Sequence, residues 1–303
     1  MKKKLFATLL TSVLVASAVT GCGSEASSTT DTDTQSESTN TDAQSDDTAA
    51  SKDSNDLEVI TVAATSVPHA EILESDVVTS ALEEKGYKVE VTVFEDYVQP
   101  NNVVEAGEFD ANYFQHITYL NDFNEQNNTS LVSAGGIHYE PFGIYGGTKD
   151  SLDDIADKDT IAIPNDTTNE ARALLLLQDN DLITLKDGVG LTATVNDIEE
   201  NPYNLTIVEV EAAQVPHQLD SVSYAVMNGN YAMEAGFTVA TDALAYESQD
   251  SEAAEKYVNV IAVKEGNETN PGIVALVEVL KSDEVKAWIE QEYEGSVVPY
   301  EGD

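Results

Sequence analysis

The sequence of 303 residues carries 14 basic and 56 acidic residues, a formal net charge of −42 at pH 7. A chain this acidic repels nucleic-acid phosphates and anionic lipid headgroups, so we expect no nucleic-acid partner. The length has room for two domains, and the hydrophobic fraction of 41% is enough for ordinary cores. The single cysteine, Cys22, excludes a disulfide within the chain.

The first 56 residues have the composition of a targeting segment followed by a linker. Three lysines at positions 2–4 precede an apolar stretch over residues 5–19, which is short for a membrane span. Residues 23–56 contain no large apolar side chain and cannot bury enough surface to fold. We therefore predict a signal peptide over residues 1–21 and a disordered acidic linker that ends at residue 56.

Strands and helices alternate from residue 57 onward, which predicts an α/β fold with two lobes. The predicted strands, all short apolar or alternating runs, cover residues 57–65, 87–93, 161–163, 205–210, 222–227 and 259–264. The stretch 131–145 is also strand-like, and Gly135-Gly136 predicts a break within it. Predicted helices include one that ends at Lys85 before Gly86 and one that begins at Asn270-Pro271. Ligands of such folds bind at the carboxyl ends of strands or between lobes.

The stretch from Ile161 to Leu177 predicts a strand, a turn and a helix. Thr167 and Glu170 fit the capping-box pattern at a helix start. Arg172, the only arginine of the chain, lies in the first two helical turns, where a cation opposes the helix macrodipole. A bound anion would satisfy both the guanidinium and the free N–H groups, and a guanidinium can grip a carboxylate through two parallel hydrogen bonds. A structural ion pair with Asp or Glu explains this stretch equally well.

Other polar and aromatic residues follow predicted strands and are candidates for a site. They are His69, Tyr97, Phe114, His116, Tyr119, Asn169, Asn228 and Asn230. Taken singly, the aromatic residues would more often belong to a core, and His116 would more often be a hydrogen-bonded buried histidine. The Asn-Gly-Asn sequence at 228–230 would more often be a plain turn.

Two kinds of motif resemble known proteins. Val19-Thr20-Gly21-Cys22 resembles the lipobox of bacterial lipoproteins, which implies cleavage before Cys22 and a lipid on its sulfur. Further segments resemble the NlpA/MetQ family of lipoproteins, the methionine-binding components of ABC importers. These segments are VPHAEILE (67–74), FEDYVQPN (94–101), DANYFQH (110–116), GGIHYEPFGIY (135–145), PNDTTNEARALLLL (164–177), NGNYA (228–232), AVKEGN (262–267) and SDEVKAWIEQEYEGSVVP (282–299).

The resemblance implies a two-lobed periplasmic-binding-protein fold, type II-like, with the ligand cleft between the lobes. Lobe I would comprise residues 57–145 and 256–303, and lobe II residues 146–255. The chain would be anchored by lipid on the extracytoplasmic face of the cell membrane. It would bind L-methionine and deliver it to a membrane permease driven by an ATPase subunit, without catalysis and without a cofactor.

The resemblance also implies roles for the candidate residues. Arg172 would bind the ligand carboxylate, and one of Asn228 and Asn230 would bind the amino-acid backbone. Four residues would form the side-chain pocket: Tyr97, Phe114, His116 and Tyr119. Asn169 and His69 would contribute further contacts. Because Arg172 would serve the ligand, we expect Arg172→Ala to weaken binding and leave the fold intact.

Departures from the family pattern and three alternatives remain open. Ala171 and His217 stand where the family commonly has glycine and an arginine-like residue, which bears on the choice of ligand. The ligand could be another amino acid or a short peptide. A zinc-binding lipoprotein would use His69, His116 and His138 with an acidic residue, although they lack short-range ligand spacing and we expect no metal. A hydrolase would use Ser66 and His69, but the sequence has no G-x-S-x-G elbow.

Overall fold

The structure is a computed structural model that describes residues 57–248 and 255–302. The predicted signal peptide, the predicted linker and Cys22 lie outside the described residues, so they remain predictions. In the described ranges, no helix combines the length and apolar character needed to cross a membrane.

Strands and helices alternate as the sequence predicts, which confirms the α/β class. The strands are β1 (Glu58–Ala64), β2 (Tyr87–Val93), β3 (Ala111–His116), β4 (Leu131–Tyr139), β5 (Gly143–Gly146), β6 (Thr160–Pro164), β7 (Thr184–Leu185), β8 (Ile198–Glu200), β9 (Thr206–Val210), β10 (Tyr224–Met227), β11 (Ala243–Tyr246), β12 (Val258–Lys264) and β13 (Val298–Pro299). The helices are α1 (Glu71–Glu74), α2 (Asp76–Lys85), α3 (Gln99–Glu105), α4 (Ile117–Asn127), α5 (Thr167–Asp179), α6 (Gly229–Glu234), α7 (Val239–Asp242), α8 (Pro271–Leu280) and α9 (Asp283–Tyr293).

The first sheet has six strands in the order β13-β4-β12-β3-β1-β2. Strand β1 is parallel to β2 and β3, whereas β12 is antiparallel to β3 and β4. Apolar residues of β1 pack with buried residues of α2, α8 and α9, including Leu82, Leu276 and Ile289. Helix α2 ends at Lys85 because Gly86 adopts a left-handed φ of 92°, as the sequence predicts.

The second sheet has five strands in the order β11-β5-β10-β6-β9. Strand β6 is parallel to β9 and β10, and β5 is antiparallel to β10 and β11. The leucine-rich face of α5 packs on this sheet, with Leu174 and Leu177 against Ile161 and Ile163. The small hairpin β7-β8 follows α5 and was not predicted from the sequence.

The chain passes twice between the two sheets. It leaves β4 of the first sheet through residues 140–142 and enters β5 of the second sheet, and it returns between β11 and β12. The predicted lobe boundary at Tyr145 therefore falls inside β5. Both passages meet near the carboxyl ends of β3, β6 and β10, and this arrangement positions the candidate site.

The predicted break at Gly135-Gly136 is wrong, because β4 runs continuously from Leu131 to Tyr139. Its pairing with β12 shifts register twice, once on each side of the two glycines. An added Cβ at Gly135 would lie 2.6 Å from a methyl carbon of Val277 on α8. The glycines therefore mark a close helix–sheet approach in a bulged strand.

Candidate ligand-binding site

A cavity, part of it open to solvent, lies between elements of the two sheets. Its lining residues are Tyr97, Phe114, Gln115, His116, Tyr119, Glu140, Asn169, Arg172, Asn228, Gly229, Asn230 and Asn259. Eight of the nine predicted ligand-binding residues are in this set. The ninth, His69, is buried behind the wall, with its Nε2 atom 3.1 Å from Asn259 Oδ1. His217 is exposed and Ala171 is buried, and neither lines the cavity.

Helix α5 begins at Thr167, but the predicted capping box of Thr167 and Glu170 is wrong. The cap is Asp166, whose Oδ1 atom accepts a hydrogen bond from the Asn169 backbone N–H at 3.1 Å. Glu170 instead accepts from the backbone N–H of Val195 at 2.9 Å. The acid at the cap position therefore fixes the start of α5, whose first two turns carry Asn169 and Arg172 at the cavity.

Arg172 forms the ion pair that the sequence left open as an alternative. Its Nε and Nη2 atoms donate to Glu247 Oε1 at 2.9 Å and Oε2 at 2.6 Å, and Nη2 also donates to the Glu140 carbonyl at 2.9 Å. The two-bond edge of the guanidinium is thus occupied by a carboxylate of the protein. A ligand carboxylate could meet the Nη1 corner, and a ligand role for Arg172 stays a prediction.

The surroundings of Arg172 fix its position on both passages between the sheets. Its guanidinium carbon lies 4.1 Å from the ring centre of Tyr257 and 4.7 Å from that of Phe142. Burial lowers the pKa of Arg172, but Glu247, Tyr139 and Tyr257 together raise it by more, so the side chain stays charged. Glu247 also accepts from Tyr139 Oη at 2.6 Å. Arg172 therefore joins the two crossing segments beside the cavity.

Asn228 and Asn230 each present an unpaired polar atom. Asn228 is the N-cap residue of α6, so the predicted turn is the start of a short helix. Asn228 Oδ1 and Asn230 Nδ2 are buried and have no hydrogen-bond partner among the described residues. Buried polar atoms are rarely left unpaired, because each lost hydrogen bond costs about 1–3 kcal/mol. The two unpaired atoms are therefore candidates for hydrogen bonds to a polar ligand.

Aromatic rings form the other side of the cavity. The Tyr97 ring lies 5.7 Å from both Phe114 and Tyr119, and its hydroxyl donates to Asn230 Oδ1 at 2.6 Å. His116 caps α4 through its Nδ1 atom, which accepts from the Tyr119 backbone N–H at 3.0 Å. Because both ring nitrogens of His116 are engaged within the protein, the imidazole offers its apolar ring face to the cavity.

Glu140 is the functional candidate that the sequence analysis missed. Its Oε1 atom accepts from His138 Nε2 at 2.8 Å and lies 3.4 Å from His69 Nε2. Burial raises the pKa of Glu140, whereas His69, the backbone N–H of Asn230 and Arg172 lower it in part. One signal was available in the sequence: Glu140 is the only acid within the otherwise uncharged segment 130–148.

The histidine cluster bears on the zinc alternative. His69, His138 and Glu140 place one potential ligand atom each within 4.8 Å of one another, but His116 lies apart and bonds to Asn169. The Nδ1 atoms of the two rings are hydrogen-bonded as well. His69 Nδ1 lies 2.8 Å from Thr65 Oγ1, and His138 Nδ1 bonds to Tyr113 Oη. Each imidazole is thus satisfied as a neutral hydrogen-bonding group. The bond of His69 to Thr65 also removes support for a Ser66–His69 hydrolytic pair.

The three buried histidines predict a loss of stability in acid. Burial lowers the pKa of His69 to about 4, and that of His116 and His138 to about 3. The unfolded chain takes up these protons first, near pH 6.5, so stability is full above that pH and falls toward pH 4. Each histidine contributes a loss of roughly 3 kcal/mol by pH 4, partly offset by Glu140, whose raised pKa acts in the opposite direction.

We expect Tm to fall steeply between pH 7 and pH 4, measured by circular dichroism. His138→Gln should reduce this slope, whereas His217→Gln, at an exposed position, should leave it unchanged. A Tm that is equal at pH 7 and pH 4 would show that the three imidazoles are not held neutral by burial.

Comparisons with known proteins agree with this geometry. The model of the family described as NlpA lipoprotein matches residues 60–301. The methionine-binding lipoprotein MetQ of Bacillus subtilis is 41% identical over 244 residues, which cover 79% of this chain and 87% of that protein.

Two solved structures share the fold. A nutrient-binding protein from Burkholderia cenocepacia bound to methionine superposes with a TM-score of 0.75 at 42% identity, covering 79% of this chain and 99% of that one. A periplasmic substrate-binding protein of an ABC transporter from Coxiella burnetii gives a TM-score of 0.74 at 36% identity, covering 80% of this chain and all of that one. The fold is therefore that of the substrate-binding proteins of ABC transporters, and the chain belongs to the NlpA lipoprotein family.

Proposed function

We propose that this protein is a lipid-anchored substrate-binding protein that captures L-methionine and delivers it to the permease and ATPase of an ABC importer. Cys22 would carry the lipid, and residues 23–56 would tether the folded body to the extracytoplasmic face of the membrane. The two sheets, with the helices packed on them, would form lobes that close on the ligand.

One observation carries the proposal: the polar groups that line the cavity, two of them with unpaired buried atoms, match the backbone of a free amino acid. Asn228 Oδ1 and the Glu140 carboxylate can accept hydrogen bonds from an ammonium group. Asn230 Nδ2 and the Nη1 atom of Arg172 can donate to a carboxylate. The site thus offers an acceptor pair and a donor pair in one cavity.

The aromatic side of the cavity supports a thioether side chain. Tyr97, Phe114, Tyr119 and the face of His116 lie together, and a sulfur gains about 0.3–1.5 kcal/mol from a contact with an aromatic ring. The methionine bound to the Burkholderia relative and the name of the Bacillus relative favour the same ligand.

We expect the purified protein, unfolded and refolded to strip any carried ligand, to bind one L-methionine in calorimetry. N-acetyl-L-methionine, which lacks the ammonium group, should bind at least about tenfold more weakly, because Glu140 and Asn228 then lose a charged donor. A folded, stripped protein that gives no heat with L-methionine would contradict the proposal. Other amino acids and dipeptides would then be titrated in turn.

A further inference from the structure

A chain of side-chain hydrogen bonds connects Asp166, which does not line the cavity, to Asn228, which does. Asn169 Nδ2 donates to Asp166 Oδ1 at 2.9 Å and to Oδ2 at 3.1 Å. On its other side, Asn169 Oδ1 accepts from Asn228 Nδ2 at 2.9 Å and lies 3.2 Å from His116 Nε2. The four residues lie on three elements: Asp166 and Asn169 at the cap and first turn of α5, His116 at the end of β3, and Asn228 at the cap of α6.

The Asp166 carboxylate determines which atom donates and which accepts in the hydrogen bonds of this chain. An ionised carboxylate only accepts hydrogen bonds, so Asn169 must turn its NH₂ group toward Asp166 and its oxygen toward Asn228. Asn228 must then donate through Nδ2, which leaves its Oδ1 atom facing the cavity. That atom is buried and unpaired within the described part of the chain.

The hydrogen bonds of His116 indicate the same orientation of the Asn169 amide. Its Nδ1 atom accepts from the Tyr119 backbone N–H, so the proton of the neutral ring must be on Nε2, where it can be donated to Asn169 Oδ1. If the amide of Asn169 were turned around, His116 Nε2 and the NH₂ group of Asn169 would be two donors facing each other.

We propose that Asp166 is a positioning residue that sets the polarity of the site. Through Asn169 it turns an acceptor, Asn228 Oδ1, toward the ligand, and it thereby selects a ligand that presents a hydrogen-bond donor at this point. For the amino acid of the proposed function, on which this inference rests, that donor is the ammonium group. The selection is made by a residue that has no contact with the ligand.

Asp166→Asn separates this role from helix capping. Asparagine caps helices about as well as aspartate, so Oδ1 can keep the bond to the Asn169 backbone N–H. The new NH₂ group then stands where Oδ2 accepts from Asn169 Nδ2 at 3.1 Å. Two donors at that distance repel, which opposes the contacts of Oδ1 and His116 Nε2 that hold Asn169 in its present orientation. The preference for this orientation is weakened, so in part of the molecules Asn169 and Asn228 are turned and a donor replaces the acceptor in the cavity.

The test compares L-methionine with its 2-hydroxy analogue, in which a hydroxyl replaces the ammonium group. A hydroxyl both donates and accepts, so it tolerates either orientation of Asn228. The hydroxy analogue also lacks the charge that would interact with Glu140. This loss is the same in the wild type and in Asp166→Asn, so it does not affect the comparison between them. We expect Asp166→Asn to weaken methionine binding severalfold and the binding of the hydroxy analogue much less.

Asp122→Asn, on the neighbouring helix α4, removes the same charge outside the hydrogen-bond chain and should keep the wild-type ratio of affinities. An unchanged ratio in Asp166→Asn would overturn the proposal.

A second measurement needs neither a variant nor a ligand. The ¹⁵N chemical shifts of the His116 ring in the ligand-free wild-type protein should show a proton on Nε2 at neutral pH. A proton on Nδ1 would overturn the proposal, whether or not Asp166→Asn folds. If the wild type fails to bind methionine but His116 carries its proton on Nε2, the proposed ligand is wrong and the polarity of the site stands.

Discussion

Arg172→Ala will destabilise the fold as well as the ligand site, by about 3–5 kcal/mol in the free energy of unfolding. The Arg172 side chain is 4% exposed, and its removal takes the cationic partner from the Glu247 side chain, which is 9% exposed. The three ring contacts and the bond to the Glu140 carbonyl are lost as well. In a protein of this size the change corresponds to a decrease in Tm of roughly 10 °C. The ion pair with Glu247 therefore adds a loss of stability to the loss of binding that the sequence predicts for this variant.

The double variant Arg172→Ala/Glu247→Gln distinguishes the ion pair from the ligand role. Removing the second charge eliminates the unpaired buried carboxylate, so we expect it to recover part of the lost stability, measured by urea unfolding. Methionine affinity should not recover, since the Nη1 corner is still missing. If Arg172→Ala unfolds at the wild-type urea concentration, the ion pair with Glu247 contributes nothing to stability, and our account of Arg172 fails.

The sequence could predict most of the site because its residues follow strands whose ends meet. Helix α5, which follows β6, carries Asn169 and Arg172; Asn228 and Asn230 cap and begin α6, which follows β10; and β3 ends at His116. Parallel strands of one sheet bring their carboxyl ends to one edge, and residues that follow strands of both sheets line the same cavity. Local patterns together with the family resemblance therefore sufficed to collect eight lining residues.

The partners of these residues could not be predicted in the same way. Glu247 lies 75 residues from Arg172, and no local pattern pairs them. Glu140 acquires its role only because β4 ends beside the first turn of α6, where an added Cβ on Gly229 would lie 2.7 Å from the Glu140 Cβ atom. Long-range packing decides such contacts, whereas periodicity and capping rules describe neighbours along the chain.

The start of α5 shows how a local rule can fail within a correctly predicted element. Both Asp166 and Thr167 can cap a helix, and the pair Thr167–Glu170 favoured the later residue. The tertiary structure decides for Asp166, because Glu170 is drawn to Val195 on a separate segment. The one-residue shift has consequences for function, since it puts an acceptor-only side chain next to Asn169.

Glu140→Gln should weaken methionine binding by at least about 2 kcal/mol, which is roughly thirtyfold, and this loss should exceed its effect on folding. The carboxylate is buried at the cavity wall between His69 and His138, and burial keeps both imidazoles neutral. Arg172 bonds to the carbonyl of Glu140 and not to its carboxylate. A ligand ammonium is therefore the natural counter-charge, and glutamine preserves the shape while removing the charge.

The pH dependence of binding gives an independent check on the same residue. Burial raises the pKa of Glu140 in the ligand-free protein, and an ammonium bound beside it would lower that pKa. Protonation of Glu140 therefore competes with binding of the ligand. The affinity should be constant above the pKa that Glu140 has in the ligand-free protein, and it should decrease as the pH falls below that pKa. Binding near that pH should release a proton, which calorimetry in buffers of different ionisation enthalpy detects.

Glu140→Gln should abolish both the acid decrease in affinity and the proton release. Glu170→Gln is the matched control, because Glu170 is a buried acid on α5 outside the cavity lining. That variant should retain the affinity and the pH profile of the wild type. If Glu140→Gln binds methionine as tightly as the wild type at pH 7, the ammonium group lies elsewhere, and Asn228 Oδ1 would remain as its acceptor in the cavity.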